Sequence, residues 1–537
     1  MPGNWAKASM ASSRILEGIC KGDGISTKLR KAGCSKKRKR AEKSRERGVF
    51  FVFRLRNMSS YLIIALIAVY FFALLWISWY TARGAGNQAF FLGNKSSPWY
   101  IVAFGMIGTS LSGVTFVSVP GTVAASGISY LMVVLGYFIG YMGVAFILLP
   151  LYYRLQLTSI YNYLQHRFGM TSYKSGALLF IVSRTVGATA RLYLVIHVLQ
   201  ELVMEQLHVP FAVTAIVILL LILAYTFKGG VKTIVWTDTL QTTFMLGGLI
   251  ACVVYVLHHL GLSFGEAWGQ MQDEGYTKLL NTDPLSPGHY VKHLLGGAFI
   301  ALTMTGLDQE MMQKNISVKT LGDSQKNVVV LSIILIFVNF LFLFLGGVLY
   351  LYSNHYQLGL KGDDLFPTLA MQYFPPVMGL VFIIGLISAL FPSADGAITA
   401  LTASFCLDIL GIRRNPNLNE EQQTSIRRKV HLSFAGVFLL CVMIFYWIDN
   451  RSIIDLILKL AGYTYGPLLG LFAFGVVMKS KLKEKLVPVV CLLAPFISWF
   501  LAENAANWFG GFKFGYELLL VNGLITFMGL MLVRERE

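Results

Sequence analysis

Charged residues are scarce in this sequence. Asp, Glu, Lys and Arg make up 13% of the 537 residues, whereas hydrophobic residues make up 55%. A composition this apolar excludes a string of soluble domains and is typical of a chain with many membrane spans. The longest polar connections, at 259–290 and 411–427, are too short to build a core of their own. The sequence therefore offers no appended soluble enzyme or signalling domain.

Cysteine is also scarce. Its six copies show no spacing typical of a metal site or a disulfide framework, and four of them fall inside apolar runs, at Cys252, Cys406, Cys441 and Cys491. The short alternating segments of a membrane β-barrel are absent as well, because the apolar runs are continuous. The cysteines are therefore interpreted as packing residues of an all-helical protein.

What the sequence does contain is a series of apolar runs of about 20 residues, the length that crosses a bilayer core of roughly 30 Å. These runs predict an all-α polytopic membrane protein. We predict about thirteen transmembrane helices, which start near residues 60, 97, 128, 172, 209, 232, 291, 326, 375, 427, 452, 484 and 514.

The basic residues of the connections predict the orientation. Most Lys and Arg fall in alternate loops, including 154–174, 314–326, 413–429 and 479–485, and such loops face the cytoplasm. This pattern places the C-terminus inside and the N-terminus outside the plasma membrane, which in a bacterium is the inner membrane.

Residues 1–57 contradict this orientation. They are dense in Lys and Arg, for example in "KKRKR" at 36–40, and they lack the apolar core of a signal peptide. Their composition favours disorder. One hypothesis is that Met58 is the true start and the leader is mis-assigned; the alternative is a tail for nucleic acid or acidic lipid.

Two helices are interrupted by small and polar residues, in "GTSLSGVTF" at 108–116 and "TMTGLDQE" at 303–310. They lie five spans apart, and paired interruptions of this kind indicate an inverted-repeat transporter with its site at the breaks. Ordinary glycine-rich helix packing is the alternative. A further span, "GLISALFPSADGAITALTASFCLDIL" at 385–410, carries a proline and an aspartate at bilayer depth. A charge there is costly and by default functional.

Several stretches resemble the sodium:solute symporter family. "PWYIVAFGMIGTSLSGVTF" resembles its first broken helix, "GGVKTIVWTDTLQ" at 229–241 its Gly-Gly and Thr-Asp-x-x-Gln block, and "GLDQEMMQKNISVKT" its Asp-Gln-x-x-x-Gln-Arg segment, with Lys314 in place of Arg. "ISALFPSADGAITALTASFCLDIL" is similar to its sodium-site helix. The stretch "LSGVTFVSVPG" is nearer the monocarboxylate, vitamin, iodide and sialic-acid branch than the sugar branch.

The resemblance implies a LeuT-type fold of five plus five inverted helices with discontinuous helices. A first helix at 58–90 would precede a first repeat at 97–313 and a second at 326–480, followed by two C-terminal helices at 484–537. Because the helix at 291–313 opens the second repeat, the boundary between the repeats lies near 260–290. The implied function is sodium-driven symport of a small organic solute by alternating access.

The resemblance also implies a sodium site. It would use backbone carbonyls of Gly108, Leu111 and Ala389 and the hydroxyl of Ser393. The family's other hydroxyl is replaced by Pro392, which cannot donate to the Ser388 carbonyl and pushes against it. The proline either breaks the helix and aims carbonyls of Ser388 and Ala389 at the ion, or makes a simple kink.

A second cation site is expected at Asp238 and Asp395, since the resemblance places Asp395 where the family has a hydroxyl. Two neighbouring carboxylates cannot both ionise easily without a cation or a proton between them. The ion would be Na⁺ or H⁺. The alternative is that Asp395 pairs with a lysine or arginine.

The solute is expected to be anionic, most simply a carboxylate. Arg184 and Arg191 are seven residues apart on one helical face, and a guanidinium fork suits a carboxylate. Both arginines could instead pair with Asp308, Asp238 or carbonyls, or extend to the interface. Predicted solute-contacting residues are Ser110, Ser112, Thr115, Tyr137, Arg184, Arg191, Asp308 and Gln309.

Other functions remain open. These are proton-coupled, sugar or amino-acid symport on the same fold, a transporter-like sensor, and an intramembrane aspartyl protease, whose Gly-x-Gly-Asp and Tyr-Asp contexts are absent. An enzyme is not expected. The expected partners are the solute, sodium and the lipid bilayer, without nucleic acid and with the oligomeric state open.

Overall fold

The computed structural model describes residues 60–84, 86–448 and 451–535. The basic leader at 1–57 and the alternative start at Met58 lie outside these residues. The described chain is a bundle of helices connected by short loops and single helical turns.

Fifteen helices form the bundle in the described part. They are α1 Ser60–Thr81, α2 Trp99–Ser110, α3 Gly113–Gly121, α4 Tyr130–Gly143, α5 Met170–Leu199, α6 Phe211–Thr226, α7 Val231–Leu260, α8 Tyr290–Gly306, α9 Gln309–Ile316, α10 Leu321–His355, α11 Pro376–Ser404, α12 Glu420–Ile448, α13 Arg451–Val477, α14 Val487–Trp508 and α15 Leu518–Leu532.

Shorter helical pieces extend or connect these helices. The α-helical ones are Asn87–Leu92, Val123–Ser126, Leu149–Arg154, Asn162–Arg167, Phe264–Asp273 and Leu365–Thr368. The tighter or wider turns are Gly93–Lys95, Val144–Leu148, Gln200–Met204, Glu205–Leu207, Gly362–Asp364, Leu369–Tyr373, Phe405–Ile409 and Glu484–Leu486.

Twelve of the thirteen predicted starts fall within five residues of the start of a helix, and the one near 427 lies seven residues after the helix start at Glu420. By length and hydropathy, eight helices of the described residues could cross a membrane, or nine if the bent α2–α3 pair counts as one span. The shorter apolar helices α6, α15 and the Tyr463–Val477 part of α13 do not reach that length alone. The all-helical class is confirmed, whereas the number of crossings stays a prediction.

Both predicted interruptions are confirmed. The chain leaves α2 after Ser110, runs extended through Leu111 and Ser112, and re-enters a helix with a bend of 62°. The second interruption separates α8 from α9 at Leu307 and Asp308. In each case a helix end is created inside the bundle, where its backbone groups need other partners.

Of the two alternatives for Pro392, a broken helix or a simple kink, the structure contradicts the break. Helix α11 runs without interruption from Pro376 to Ser404, with Pro392 inside it. Every residue from 385 to 404 is buried, so the neighbouring helices hold this segment on all sides. Packing therefore outweighs the local cost of a proline, as in other membrane helices. The proline still removes the amide that would bond the Ser388 carbonyl.

Glycines allow α4 and α8 to pack with their backbones in contact. A Cβ built on Gly140 would lie 2.1 Å from the Ala298 carbonyl oxygen, and one on Gly297 would lie 2.1 Å from that of Val133. Because the obstacle is backbone, no side-chain rotation can relieve it. Close approach through small residues is a common means of joining membrane helices.

Replacing Gly297 by alanine is therefore expected to lower the free energy of unfolding by about 1–3 kcal/mol, as overpacking of a tight contact does. The measurement is unfolding of the purified protein in detergent micelles. Gly247→Ala is the matched control, since nothing lies within 4 Å of a Cβ at that position of α7. Equal stability of the two variants would contradict the backbone contact.

Candidate functional site

The end of α2 leaves backbone carbonyls without their helical partners. The amide of Leu111 still donates to the Ile107 carbonyl, but the next amide, that of Ser112, donates to the Thr115 hydroxyl at 3.3 Å instead of to Gly108. The Ser112 hydroxyl in turn accepts from the Thr115 amide and caps α3. The Gly108 carbonyl is thereby released from the helical ladder, and oxygens released in this way suit a hard cation.

This break faces the proline of α11. A Cβ on Gly108 would lie 3.4 Å from Pro392 Cγ, so the backbone of α2 lies against the proline ring here. The amide of Gly108 donates to the Thr242 hydroxyl of α7 at 3.1 Å, which fixes the end of α2. The predicted sodium ligands of α2 and α11 thus come from facing segments.

The hydroxyls of α11 point in different directions. Ser393 donates to the Leu390 carbonyl at 2.8 Å, which leaves the lone pairs of its oxygen free to coordinate. Ser388 donates to the Tyr70 hydroxyl of α1 at 3.0 Å, so this hydroxyl is engaged away from the predicted ion.

The second break is held by hydrogen bonds from side chains. Tyr152 donates to the Gly306 carbonyl at 2.8 Å and Tyr161 to the Leu307 carbonyl at 3.0 Å. Asp308 caps α9 by accepting from the amides of Glu310 and Met311. The carbonyls at this break are therefore already satisfied, unlike that of Gly108.

A chain of buried charges connects three helices beside the second break. Arg184 of α5 forms an ion pair with Glu310 and lies 3.8 Å from Asp308 Oδ2. Glu310 Oε1 lies 3.7 Å from Lys314 Nζ, and Lys314 Nζ lies 2.7 Å from Asp238 Oδ2 of α7. All five side chains are at most 5% exposed.

The two predicted aspartates of the second cation site have different surroundings. Asp238 Oδ2 accepts from the Thr109 hydroxyl at 3.0 Å and pairs with Lys314. Asp395 Oδ2 accepts from the Tyr225 hydroxyl at 2.8 Å, and the charges of Asp395, Asp238 and Lys314 interact. The structure thus places an ammonium against the carboxylate where a free cation was predicted. It is Asp238, and not Asp395, that pairs with a basic side chain.

The predicted solute-contacting residues separate into two groups by exposure. Arg184, Asp308 and Gln309 are buried and contact other protein groups, although the Nε of Arg184 has no hydrogen-bond partner. For Asp308 these are the cap of α9, Arg184 and a hydrogen bond of 2.8 Å from Tyr465. Gln309 accepts from the Ile160 amide at 3.0 Å. These three hold the second break together.

The other group retains accessible surface. Ser110, Ser112, Thr115, Tyr137 and Arg191 are half-buried. The Ser110 hydroxyl is 3.4 Å from that of Tyr141, and the Tyr137 hydroxyl is 3.3 Å from that of Tyr130.

Arg191 differs from Arg184 in its partners. Its Nε donates to the Gly187 carbonyl of its own helix at 3.0 Å, and no carboxylate of the described residues lies within 4 Å of it. A guanidinium in a membrane protein needs an anionic partner or water. Arg191 is therefore a half-buried arginine of the described residues that has donors left for a solute and no carboxylate partner.

Sequence reasoning missed Glu310 and assigned no ion pair to Lys314. The spacing of Glu310 and Lys314 in the sequence could have predicted a contact between them, since charges four residues apart lie on the same face of a helix. In the folded structure Gly396 leaves room for this carboxylate, because a Cβ there would lie 2.3 Å from Glu310 Oε1. No group of three or more His, Cys, Asp or Glu side chains in the described ranges is arranged to hold a metal ion. Carbonyl and hydroxyl oxygens remain as the candidates for sodium.

Comparison with known proteins agrees with this architecture. A model of the sodium:solute symporter family matches residues 90–485. The sodium-dependent multivitamin transporter of Oryctolagus cuniculus is 26% identical over 393 residues, which are 70% of this chain and 59% of the relative. The chain thus spans about three fifths of that protein's length.

Two further matches cover more of their counterparts. The sodium/sialic acid symporter NanT of Aliivibrio fischeri is 22% identical over 468 residues, which are 83% of this chain and 89% of the relative. The structure of a Na⁺-coupled sialic acid symporter in a substrate-bound outward-open state superposes with a TM-score of 0.76 at 18% identity, covering 88% of this chain and 99% of the other. At that identity the superposition shows the shared fold.

Proposed function

The chain belongs to the sodium:solute symporter family, and on that premise we propose that it is a secondary active transporter that couples sodium entry to uptake of a small organic anion. The chain is an integral membrane protein, and its relatives are transporters of vitamins and sialic acid. The single observation that carries the proposal is the break after Ser110, which releases the Gly108 carbonyl from its helix next to Pro392.

Sodium is proposed to bind between α2 and α11. The carbonyls of Gly108 and Leu111 would supply oxygens from one side, and the Ser393 hydroxyl with the carbonyls of Ser388 and Ala389 would supply them from the other. A bound cation would hold the two helices together, because oxygens of both would contact it. This step would pre-organise the end of α2 for the solute.

The solute is proposed to bind at the half-buried side chains next to the same break. Ser110, Ser112 and Thr115 lie at or just after it, so sodium and solute would share one segment of backbone. Arg191 would pair with the carboxylate of the solute, while Tyr137 would contact it from α4. Shared backbone makes the binding of each ligand depend on the other, which is the thermodynamic requirement for coupling.

Alternating access would follow from movement of one group of helices against the other. The proposed repeats keep the predicted ranges, 97–313 and 326–480. The helix at 291–313 is assigned to the second repeat, which puts the boundary near 260–290, and each repeat then opens with an interrupted helix. The proposed orientation has the basic loops and the C-terminus in the cytoplasm and the N-terminus outside, in the plasma membrane.

The aspartyl protease alternative is disfavoured by the surroundings of its aspartates. A protease dyad shares one proton between two carboxylates. Asp238 is instead paired with Lys314 at 2.7 Å and Asp395 is held by Tyr225. Neither is free to activate water.

Replacing Ser393 by alanine is expected to raise the sodium concentration for half-maximal uptake about tenfold, because one oxygen ligand worth about 1.5 kcal/mol is lost. The measurement is uptake of radiolabelled monocarboxylates, sialic acid, sugars and amino acids into proteoliposomes, with and without an inward sodium gradient.

Ser433→Ala is the matched control for this variant. Ser433 is an exposed helical serine that also donates to a carbonyl of its own helix. Uptake of the anions in wild type without any sodium stimulation would refute the proposed coupling.

A further inference from the structure

Lys314 lies in a cage of oxygens at the junction of α2, α7 and α9. Its ammonium is 2.7 Å from Asp238 Oδ2, 2.7 Å from the Thr109 hydroxyl oxygen and 3.7 Å from Glu310 Oε1. The side chain is 3% exposed. Two carboxylates and a hydroxyl directed at one point form a site for a single monovalent cation, and here that cation is covalently part of the chain.

The balance of buried charges shows what this ammonium replaces. Around the second break the described residues contribute three basic side chains and four buried carboxylates: the buried Arg184 and Lys314 and the half-buried Arg191 against Asp238, Asp308, Glu310 and Asp395. One carboxylate is in excess. Without Lys314, two positive charges would be missing, and buried carboxylates need a cation or a proton.

The excess carboxylate belongs to no ion pair. Asp395 accepts from the Tyr225 hydroxyl and lies within the electrostatic influence of Asp238 and Lys314, but no basic side chain of the described residues is within 4 Å of it. It lies three residues after Pro392 on α11, the helix that carries the proposed sodium ligands. One transported cation near this helix would complete the charge balance.

We propose that the ammonium of Lys314 is a resident counter-ion that occupies the cage at Asp238, so that the protein binds one sodium per chain and not two. The proposal rests on the proposed function for the identity of the transported ion. An ammonium tethered to α9 cannot leave with the solute. It fixes α9 to α7 and α2, and the sodium between α2 and α11 remains the only driving cation.

The test is the number of sodium ions bound per chain, measured with ²²Na⁺ on the purified full-length protein by scintillation proximity, without a solute. Wild type is expected to bind one. Lys314→Ala empties the cage and is expected to bind two. Lys314→Arg keeps the charge and is expected to bind one. Lys326→Ala, which removes a lysine 65% exposed at the surface of α10, is expected to bind one.

Stability provides a second measurement, because Lys314→Ala leaves the buried Asp238 without a basic partner. Saturating sodium chloride is expected to raise the melting temperature of Lys314→Ala more than that of wild type, whereas choline chloride is not. Adding Asp238→Asn to Lys314→Ala removes a carboxylate of the cage and should return the count to one.

Several results would overturn the proposal. They are two sodium ions in wild type, no gain of a sodium ion in Lys314→Ala over wild type, and a Lys314→Ala protein that sodium cannot stabilise. Failure of the proposed function would look different: wild type would bind no sodium. In that case a gain of one ion in Lys314→Ala would still support the resident ammonium, and no gain would reject it.

Discussion

Replacing Arg191 by glutamine is expected to lower kcat/KM for sodium-driven uptake of the anionic solute roughly 100-fold, as loss of a buried, hydrogen-bonded charge partner does. The reason is that Arg191 has only a carbonyl of its own helix as a partner in the described structure, so its remaining donors are free for a carboxylate. The measurement is initial uptake rate against solute concentration in proteoliposomes at saturating sodium.

The variant should remain folded, because no ion pair in the described part of the chain depends on Arg191. Arg191→Lys keeps the charge without the planar fork and should retain part of the activity. Arg83→Gln is the matched control, since Arg83 stacks on the Trp79 ring at 3.8 Å outside the site. If Arg191→Gln transported the solute as well as wild type and Arg184→Gln did not, the partner of the solute carboxylate would be Arg184 and not Arg191.

Replacing Glu310 by glutamine is expected to lower the free energy of unfolding by about 3–5 kcal/mol, because breaking a buried ion pair leaves uncompensated charge. Glu310 is the carboxylate shared by Arg184 and Lys314, and it is almost completely buried. The measurement is the unfolding midpoint in mixed detergent micelles, converted to a free energy with the denaturant slope. The rate of sodium-driven uptake should fall together with the free energy of unfolding.

The matched control is Glu266→Gln. Glu266 is an exposed glutamate that accepts a hydrogen bond from the Ser263 amide at 2.8 Å in a cap outside the bundle. A glutamine side-chain oxygen can still accept from that amide, so this variant should change the free energy of unfolding by less than about 0.5 kcal/mol. If both glutamate variants were equally stable, the charge chain would not contribute to the fold.

The positions of the helices could be predicted from the sequence because a bilayer demands about 20 apolar residues for each span. The same physics made the two interruptions visible, since "GTSLSG" and "TGLDQ" put small and polar residues where an apolar helix would otherwise continue. Pro392 shows the limit of local reasoning. A proline disfavours its helix, but whether the helix breaks depends on how firmly its neighbours enclose it.

The candidate site was predictable only in part. The sequence indicated that Asp238, Asp395, Arg184 and Arg191 are buried charges that need partners. It gave no means of choosing between a transported cation and a side chain, or between a solute carboxylate and Glu310. Those choices depend on distances between helices far apart in the chain.

By itself, the sequence determined that this chain is a helical membrane protein, where its helices lie and which of them are interrupted, since hydrophobic length and backbone propensity act locally. Only the tertiary structure decided how the buried charges are paired. Coulomb interactions depend on distance, and the fold brings Lys314 to Asp238 and Arg184 to Glu310 while leaving Arg191 without a carboxylate in the described structure.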